Sequence, residues 1–401
     1  MIDLNRYKNT VNACFVGYIV QAIVNNFAPL LFLTFRAQYG IPLSKITLLI
    51  TFNFLLQLFV DFISAFFIDK IGYRAGIITA HVFSSLGLVS MTFMPEIMPD
   101  PFWGLLISVG CYAVGGGLLE VLVSPIVEAC PTDNKEKAMS LLHSFYCWGC
   151  VGVVGFSTLF FVFFGTENWK ILALLWAIIP LLNAFVFTKV PIAKLVADDE
   201  KGLSVLALFK RKIFWVFMLM MVCSGASEQA VSQWASTFAE QALGVSKTIG
   251  DLTGPMMFSI LMGLSRLLYG KFGDKINLDT MMLLSSLLCV GSYLVVSLTN
   301  SPVLGLIGVA ISGLSVGIMW PGTFSKASAS IKGGGTAMFA FLALCGDLGC
   351  SSGPSFAGFT ASLFGDNLKL GILCAIVFPV TLSVIVFVFD FLRQKKIHNK
   401  K

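Results

Sequence analysis

Glu120, Glu228 and Asp347 each stand at the end of a run of apolar residues: GLLISVGCYAVGGG leads to Glu120, FWVFMLMMVC to Glu228 and AMFAFLALCG to Asp347. A charge at the centre of a bilayer costs roughly 2.5–3.5 kcal/mol on insertion scales, so an acid kept there is a site hypothesis by default. A carboxylate accepts hydrogen bonds from hydroxyl groups, and protonation changes what it can hold. These three acids are therefore candidates both for binding a polar solute and for coupling to protons.

Polar companions surround them. Glu120 shares a helical face with Gly116 and Ser124. Glu228, Gln229, Ser232, Gln233 and Ser236 form a stripe about 140° wide at 100° per residue. Amides and carboxylates suit hydroxyls, which donate and accept. Trp234 points about 170° from the centre of that stripe on a straight helix, so an interfacial anchor suits it at least as well as a stacking platform. Tyr18, Gln21 and Asn25 follow i, i+3, i+7 spacing, with Asn26 beside them. His143 and Tyr146 share a face with Cys147 and Cys150, and His143 could serve a proton relay. Trp320 precedes Pro321, which interrupts the helical ladder, and is the preferred aromatic platform. For each of these residues the competing reading is polar glue between packed helices.

Other chemistry finds no support in the spacing. The Cys-Trp-Gly-Cys stretch offers one helix face, whereas zinc needs four ligands closing a tetrahedron. Gly115–Gly117 and Gly333–Gly335 lack the lysine of a phosphate loop. No nucleophile has an oriented base, which argues against a membrane-embedded enzyme. No metal or cofactor is expected, and the energy source is expected to be a gradient of protons.

The elements that must carry these residues are membrane spans. The 401 residues are 57% hydrophobic and 12% charged, about half the usual charged fraction of roughly 25%. The mean hydropathy is +0.86. A span needs roughly 20 apolar residues, and the sequence offers them at 11–35, 46–68, 76–95, 102–127, 137–164, 169–189, 212–239, 252–272, 279–299, 303–326, 336–363 and 368–392. Helices are expected throughout, because lipid leaves open strand edges unsatisfied. The polar connector 191–211 divides an N-terminal bundle, 1–190, from a C-terminal bundle, 212–401. Part of it, LSVLALFK, has the look of an interfacial helix. Cations concentrate in alternate loops, which predicts both termini on the cytoplasmic side. The net charge of +6 is spread by loop and does not indicate nucleic-acid binding. Most of the ten cysteines lie in spans, where no disulfide framework is expected.

The halves repeat. Asp69-Lys70-x-Gly72-x-Arg74 follows the second span, and Gly270-x-x-x-Asp274-Lys275 follows the eighth. Ala138-Met139 and Ala337-Met338 echo each other at a similar offset. Asp61 and Arg266 stand eight residues before their loop aspartates, and are read as inner-gate or interdomain ion-pair members. Paired halves are the parallel-repeat arrangement of secondary transporters.

These loops resemble the signature of the major facilitator superfamily, with Ala65 where glycine is usual. Leu119-Glu120-x-x-x-Ser124-Pro125, Leu141-Leu142-His143-x-Phe145-Tyr146-x-x-Gly149 and Asn25-Asn26 resemble the fucose permease branch, the sugar–proton symporters, with Ser124 in place of an Asn. The resemblance implies an all-α membrane protein of twelve helices in two pseudo-symmetric six-helix bundles. It implies alternating-access import of a sugar or similar small polar solute by proton symport, and a monomer in the cell membrane (the inner membrane, in a bacterium). It also implies that the loop aspartates meet helix N-termini and hold one conformer. Where the branch carries a coupling Asp in helix 1, this chain has Pro29, so coupling must either run through other acids or differ from that of the branch. A drug–proton antiporter and a transporter of organic acids or amines remain alternatives on the same fold. A carboxylate cargo would need a deep cation, and Arg266 is the one deep cation the sequence offers.

Overall fold

A computed structural model describes residues 4–41, 43–132, 134–193, 203–235, 238–239, 244, 252–365 and 367–398. Ser236 of the expected polar stripe lies outside them, as does much of the 191–211 connector.

The described residues are almost all helical. The first span is α1 (Leu4–Leu30) followed by α2 (Phe32–Tyr39), with the break just after Pro29. Then come α3 (Leu43–Ile71), α4 (Tyr73–Ser90), a short α5 (Met94–Ile97), α6 (Pro101–Ala129), α7 (Lys135–Phe164) and α8 (Trp169–Lys189). The interfacial segment forms α9 (Val205–Phe209). The C-terminal spans are α10 (Lys212–Ser232), α11 (Met257–Phe272), α12 (Leu278–Leu298), α13 (Pro302–Val316), α14 (Met319–Ser330), α15 (Gly335–Leu363), α16 (Leu368–Ala375) and α17 (Val377–His398). Nine helices among the described residues are long and apolar enough to cross a membrane. Phe163 and Leu182 are 76% and 61% exposed on such helices, as expected where lipid is the solvent.

The first and twelfth expected spans are each divided into two helices, and the seventh and tenth also differ from the sequence reading. The seventh stays regular only to Ser232, so the wheel that placed Gln233 and Ser236 on one stripe stops short of them. The tenth is two helices, α13 and α14, separated at Gly317–Ile318. Pro321 accounts for that break, because it cannot donate to the carbonyl one turn back.

The chain forms two compact units. The first comprises Met1–Asp133, Phe145–Val205 and Gly333–Phe341; the second comprises Asn134–Ser144, Leu206–Lys332 and Leu342–Lys401. The first turns of α7 thus belong to the second unit, and the first turns of α15 to the first. These two segments hold the repeated Ala138-Met139 and Ala337-Met338.

In the first unit α4 packs on α6 and α8. Gly115 permits the approach: a Cβ there would meet the Ala80 carbonyl at 2.6 Å. His81 on α4 is fully buried, with Nδ1 2.7 Å from the Ile77 carbonyl and Nε2 2.8 Å from Asn183 Nδ2 on α8. A carbonyl only accepts and an amide NH2 only donates, so this is the neutral Nδ1–H tautomer. Asn183 also donates to the Ala13 carbonyl at 3.0 Å, tying α1 to the same knot.

In the second unit α10 and α15 approach backbone to backbone. A Cβ on Gly349 would lie 2.2 Å from the Val222 carbonyl oxygen, and one on Gly353 2.6 Å from that of Ala226. Small residues allow such contact where lipid gives no hydrophobic push between helices. Gly349→Ala is expected to lower stability by about 1–3 kcal/mol. Thermal unfolding in detergent measures this, and an unchanged midpoint would mean the helices separate freely.

Candidate functional site

The first unit gathers the polar residues of α1, α3, α6 and α7. Gln21 Nε2 donates to Glu120 Oε2. Tyr18 OH and Ser124 Oγ lie 2.8 Å apart, one turn beyond Glu120 on α6. The Tyr18 ring meets that of Tyr146 edge-on, with centroids 6.4 Å apart. Asn26 Nδ2 donates to the Ala22 carbonyl at 2.9 Å and lies 3.2 Å from Cys150 Sγ. Asn25 Oδ1 accepts from Gln57 Nε2 at 2.9 Å, and Gln57 also donates to Asn53 Oδ1 at 3.0 Å. Gln21 is only 2% exposed, and its Oε1 has no hydrogen-bond partner. A buried acceptor left without a donor is costly unless something supplies one.

Asn53 and Gln57 are absent from the sequence reading, yet they complete this cluster. Their signal was legible: Asn53, Gln57 and Asp61 follow i, i+4, i+8 spacing and all three are buried. The run LITFNFLLQLFVDF hid them, because its apolar residues outnumber the polar ones on every side of the wheel but one. Asp61 is fully buried on α3, on the same face as the amides.

The second unit gathers a different set. Glu228 on α10 is 8% exposed and Arg266 on α11 is 3% exposed. Arg266 Nη2 lies 3.2 Å from Glu228 Oε2, Nε donates to the Gly317 carbonyl at 2.8 Å, and Nη1 to the His143 carbonyl at 3.3 Å. Glu228 is thus one carboxylate that Arg266 meets within the second unit. Gln229 Nε2 lies 3.4 Å from Glu228 Oε1, and Gln233 donates to Gln229 at 3.2 Å, so the amides extend from the acid toward the exposed end of the helix. The His143 ring packs at 5.8 Å on Phe324. His143 and Tyr146, three residues apart on α7, fall in different units.

Trp320 is buried with its six-membered ring against Gly346, where a Cβ would lie 2.1 Å away, and its Nε1 has no hydrogen-bond partner. Asp347, the next residue along α15, is half-buried. Trp234 donates to the Pro354 carbonyl at 2.9 Å and packs on Gly358, away from the amides.

The loop residues also find partners. Asp69 Oδ1 accepts from Thr336 Oγ1 at 2.6 Å, in the first turn of α15, and Tyr73 OH lies 2.5 Å from the same oxygen. A carboxylate at a helix N-terminus is favoured by the helix dipole. Arg74 donates to the Phe187 and Val190 carbonyls at 2.5 and 2.9 Å, capping the C-terminus of α8. Asp274 pairs with Lys137 and accepts from Asn134 at 3.0 Å, at the start of α7. The Lys137 bond, then the Asn134 bond, hold its carboxyl below the ordinary value of 3.8. The two loop aspartates thus engage equivalent helix starts within their respective units.

The Major Facilitator Superfamily model matches residues 13–354. The chain belongs to this superfamily. Members of the superfamily are transporters, so the chain is a multi-pass membrane transporter, and the twelve-span fold is the superfamily's own. Solved superfamily structures agree in fold. The Escherichia coli fucose:proton symporter FucP matches with a TM-score of 0.81 at 16% identity, over 96% of this chain and 99% of that one. The proton:xylose symporter XylE matches with a TM-score of 0.81 at 12% identity, over 96% of both chains. The human organic anion transporter MFSD10 matches with a TM-score of 0.73 at 14% identity, over 96% of this chain and 100% of that one. The comparison with curated proteins returns no match.

Proposed function

We propose that this superfamily transporter imports a sugar or a similar small polyhydroxy solute by proton symport, with both termini in the cytoplasm. The observation that carries the reading is the Glu120–Gln21 bond beside an unpartnered, buried Gln21 Oε1. The amide oxygen is an acceptor that needs a donor, and a hydroxylated solute brings one. Tyr18, Asn25, Asn26, Gln57 and Tyr146 supply further polar groups within the same unit. Glu228, Gln229, Trp320 and Asp347 are further proposed solute-binding residues, carried by the second unit. Glu120 is the first candidate for the coupling acid, with Glu228 and Asp347 behind it.

Two of the similar structures carry sugars by name and one carries organic anions, so the cargo must be argued from this chain's residues. An organic anion needs a cation to receive it. Arg266 already meets Glu228 and two carbonyls, and Lys326, half-buried, meets Asp279. A neutral, hydroxylated cargo fits that state of the cations better than a carboxylate does. The test is uptake into proteoliposomes of a panel of labelled monosaccharides, with and without an inward proton gradient. Gradient-dependent accumulation of at least one sugar is expected. Accumulation of none, with uptake of labelled carboxylates instead, would overturn the reading.

A further inference from the structure

Pro321 has no backbone N–H, so the Gly317 carbonyl loses the donor that a regular helix would provide. That carbonyl lies at the break between α13 and α14, and it is not left empty: Arg266 Nε donates to it at 2.8 Å. The same guanidinium holds Glu228 Oε2 at 3.2 Å through Nη2. Its planar fork makes the two contacts geometrically dependent on each other. Glu228 has no hydrogen bond to α13 or α14 among the described residues, so Arg266 is what connects it to the break. His143 also belongs to this cluster: it meets Arg266 through its backbone carbonyl and lays its ring on Phe324 of α14. Trp320 follows the break by three residues and presses on Gly346 of α15.

We propose that Arg266 is the positioning residue through which the charge on Glu228 sets the bend of the tenth span. With Glu228 ionised, the guanidinium is anchored and pins the Gly317 carbonyl. When Glu228 is neutralised, the guanidinium loses that charged contact, shifts toward its other acceptors and releases the carbonyl. The bend then loosens and Trp320 moves with α14. This device deepens the transport reading and rests on it for its purpose, but its test needs no solute. Absence of monosaccharide uptake would defeat the transport reading and leave the test below unaffected.

The experiment is hydrogen–deuterium exchange of the full chain in lipid nanodiscs at one fixed pH, read on peptides spanning 312–324, with α12 as the internal reference. Glu228→Gln removes the charge while keeping the shape, and is expected to speed exchange around Gly317–Trp320 several-fold without altering α12. Arg266→Gln is expected to do the same, and the double variant to exchange no faster than Arg266→Gln alone. Pro321→Ala restores a helical donor to Gly317, and is expected to suppress the response to Glu228→Gln. If Arg266→Gln does not fold, Arg266→Lys keeps the charge and loses the fork, and the response to Glu228→Gln should disappear in that background too. Unchanged exchange in Glu228→Gln, or additive effects of the two substitutions, would overturn the proposal.

Discussion

Arg266→Met is expected to be among the most destabilising single substitutions in the second unit. Arg266 and Glu228 are both buried, and their side chains are 4% and 11% exposed. Removing one partner of a buried pair leaves the other charge without compensation, at a cost of about 3–5 kcal/mol. The loss is compounded at the Gly317 carbonyl, which Pro321 cannot satisfy and which would lose its donor. Glu228→Leu added to Arg266→Met is expected to recover much of the loss, because the penalty lies in the orphaned charge more than in the absent attraction. Thermal unfolding of the four members of the cycle in detergent measures this. A double variant whose loss equals the sum of the two single losses would show that the two side chains are not energetically coupled.

Glu120→Gln is expected to abolish gradient-driven accumulation while leaving solute exchange intact. A glutamine fills the same space, and its amide oxygen can accept from Gln21 Nε2 as the carboxylate does. What it cannot do is carry a proton. For one proton per solute, a gradient of one pH unit supports about tenfold accumulation; the variant is expected to equilibrate its sugar without exceeding the outside concentration. Counterflow exchange, which needs binding and rocking but no net proton movement, reads the retained activity. Full accumulation by the variant would remove Glu120 from the coupling role and pass it to Glu228 or Asp347.

The fold was largely legible before any coordinates. The expected span 169–189 coincides with α8, and most of the others end within a few residues of their helices. Hydropathy suffices because a bilayer imposes one length and one way to satisfy the backbone. The departures have local causes. Pro321 divides the tenth span, and the seventh leaves regular geometry after Ser232. The first unit's cluster was legible in part: Tyr18, Gln21, Asn25 and Glu120 stand out by type and spacing, and their contacts bear on one another. Asn53 and Gln57 were hidden because a polar residue every fourth position barely lowers the hydropathy of a long apolar run. His81 and Asn183 were passed over for the same reason, though they join three helices.

By itself the sequence determined that this chain crosses the membrane many times, in two related halves, with acids where lipid would forbid them. Composition and periodicity carry that information because burial in lipid penalises each polar residue separately, wherever its partners lie. Only the tertiary structure decided the partners. Glu120 faces an amide, whereas Glu228 faces a guanidinium, although both acids look alike in their apolar runs. The physical reason is that a hydrogen bond depends on positions to within a fraction of an ångström between residues far apart in the chain. Arg266 reaches a carbonyl freed by a proline some fifty residues away, and nothing in the spacing of either residue announces it.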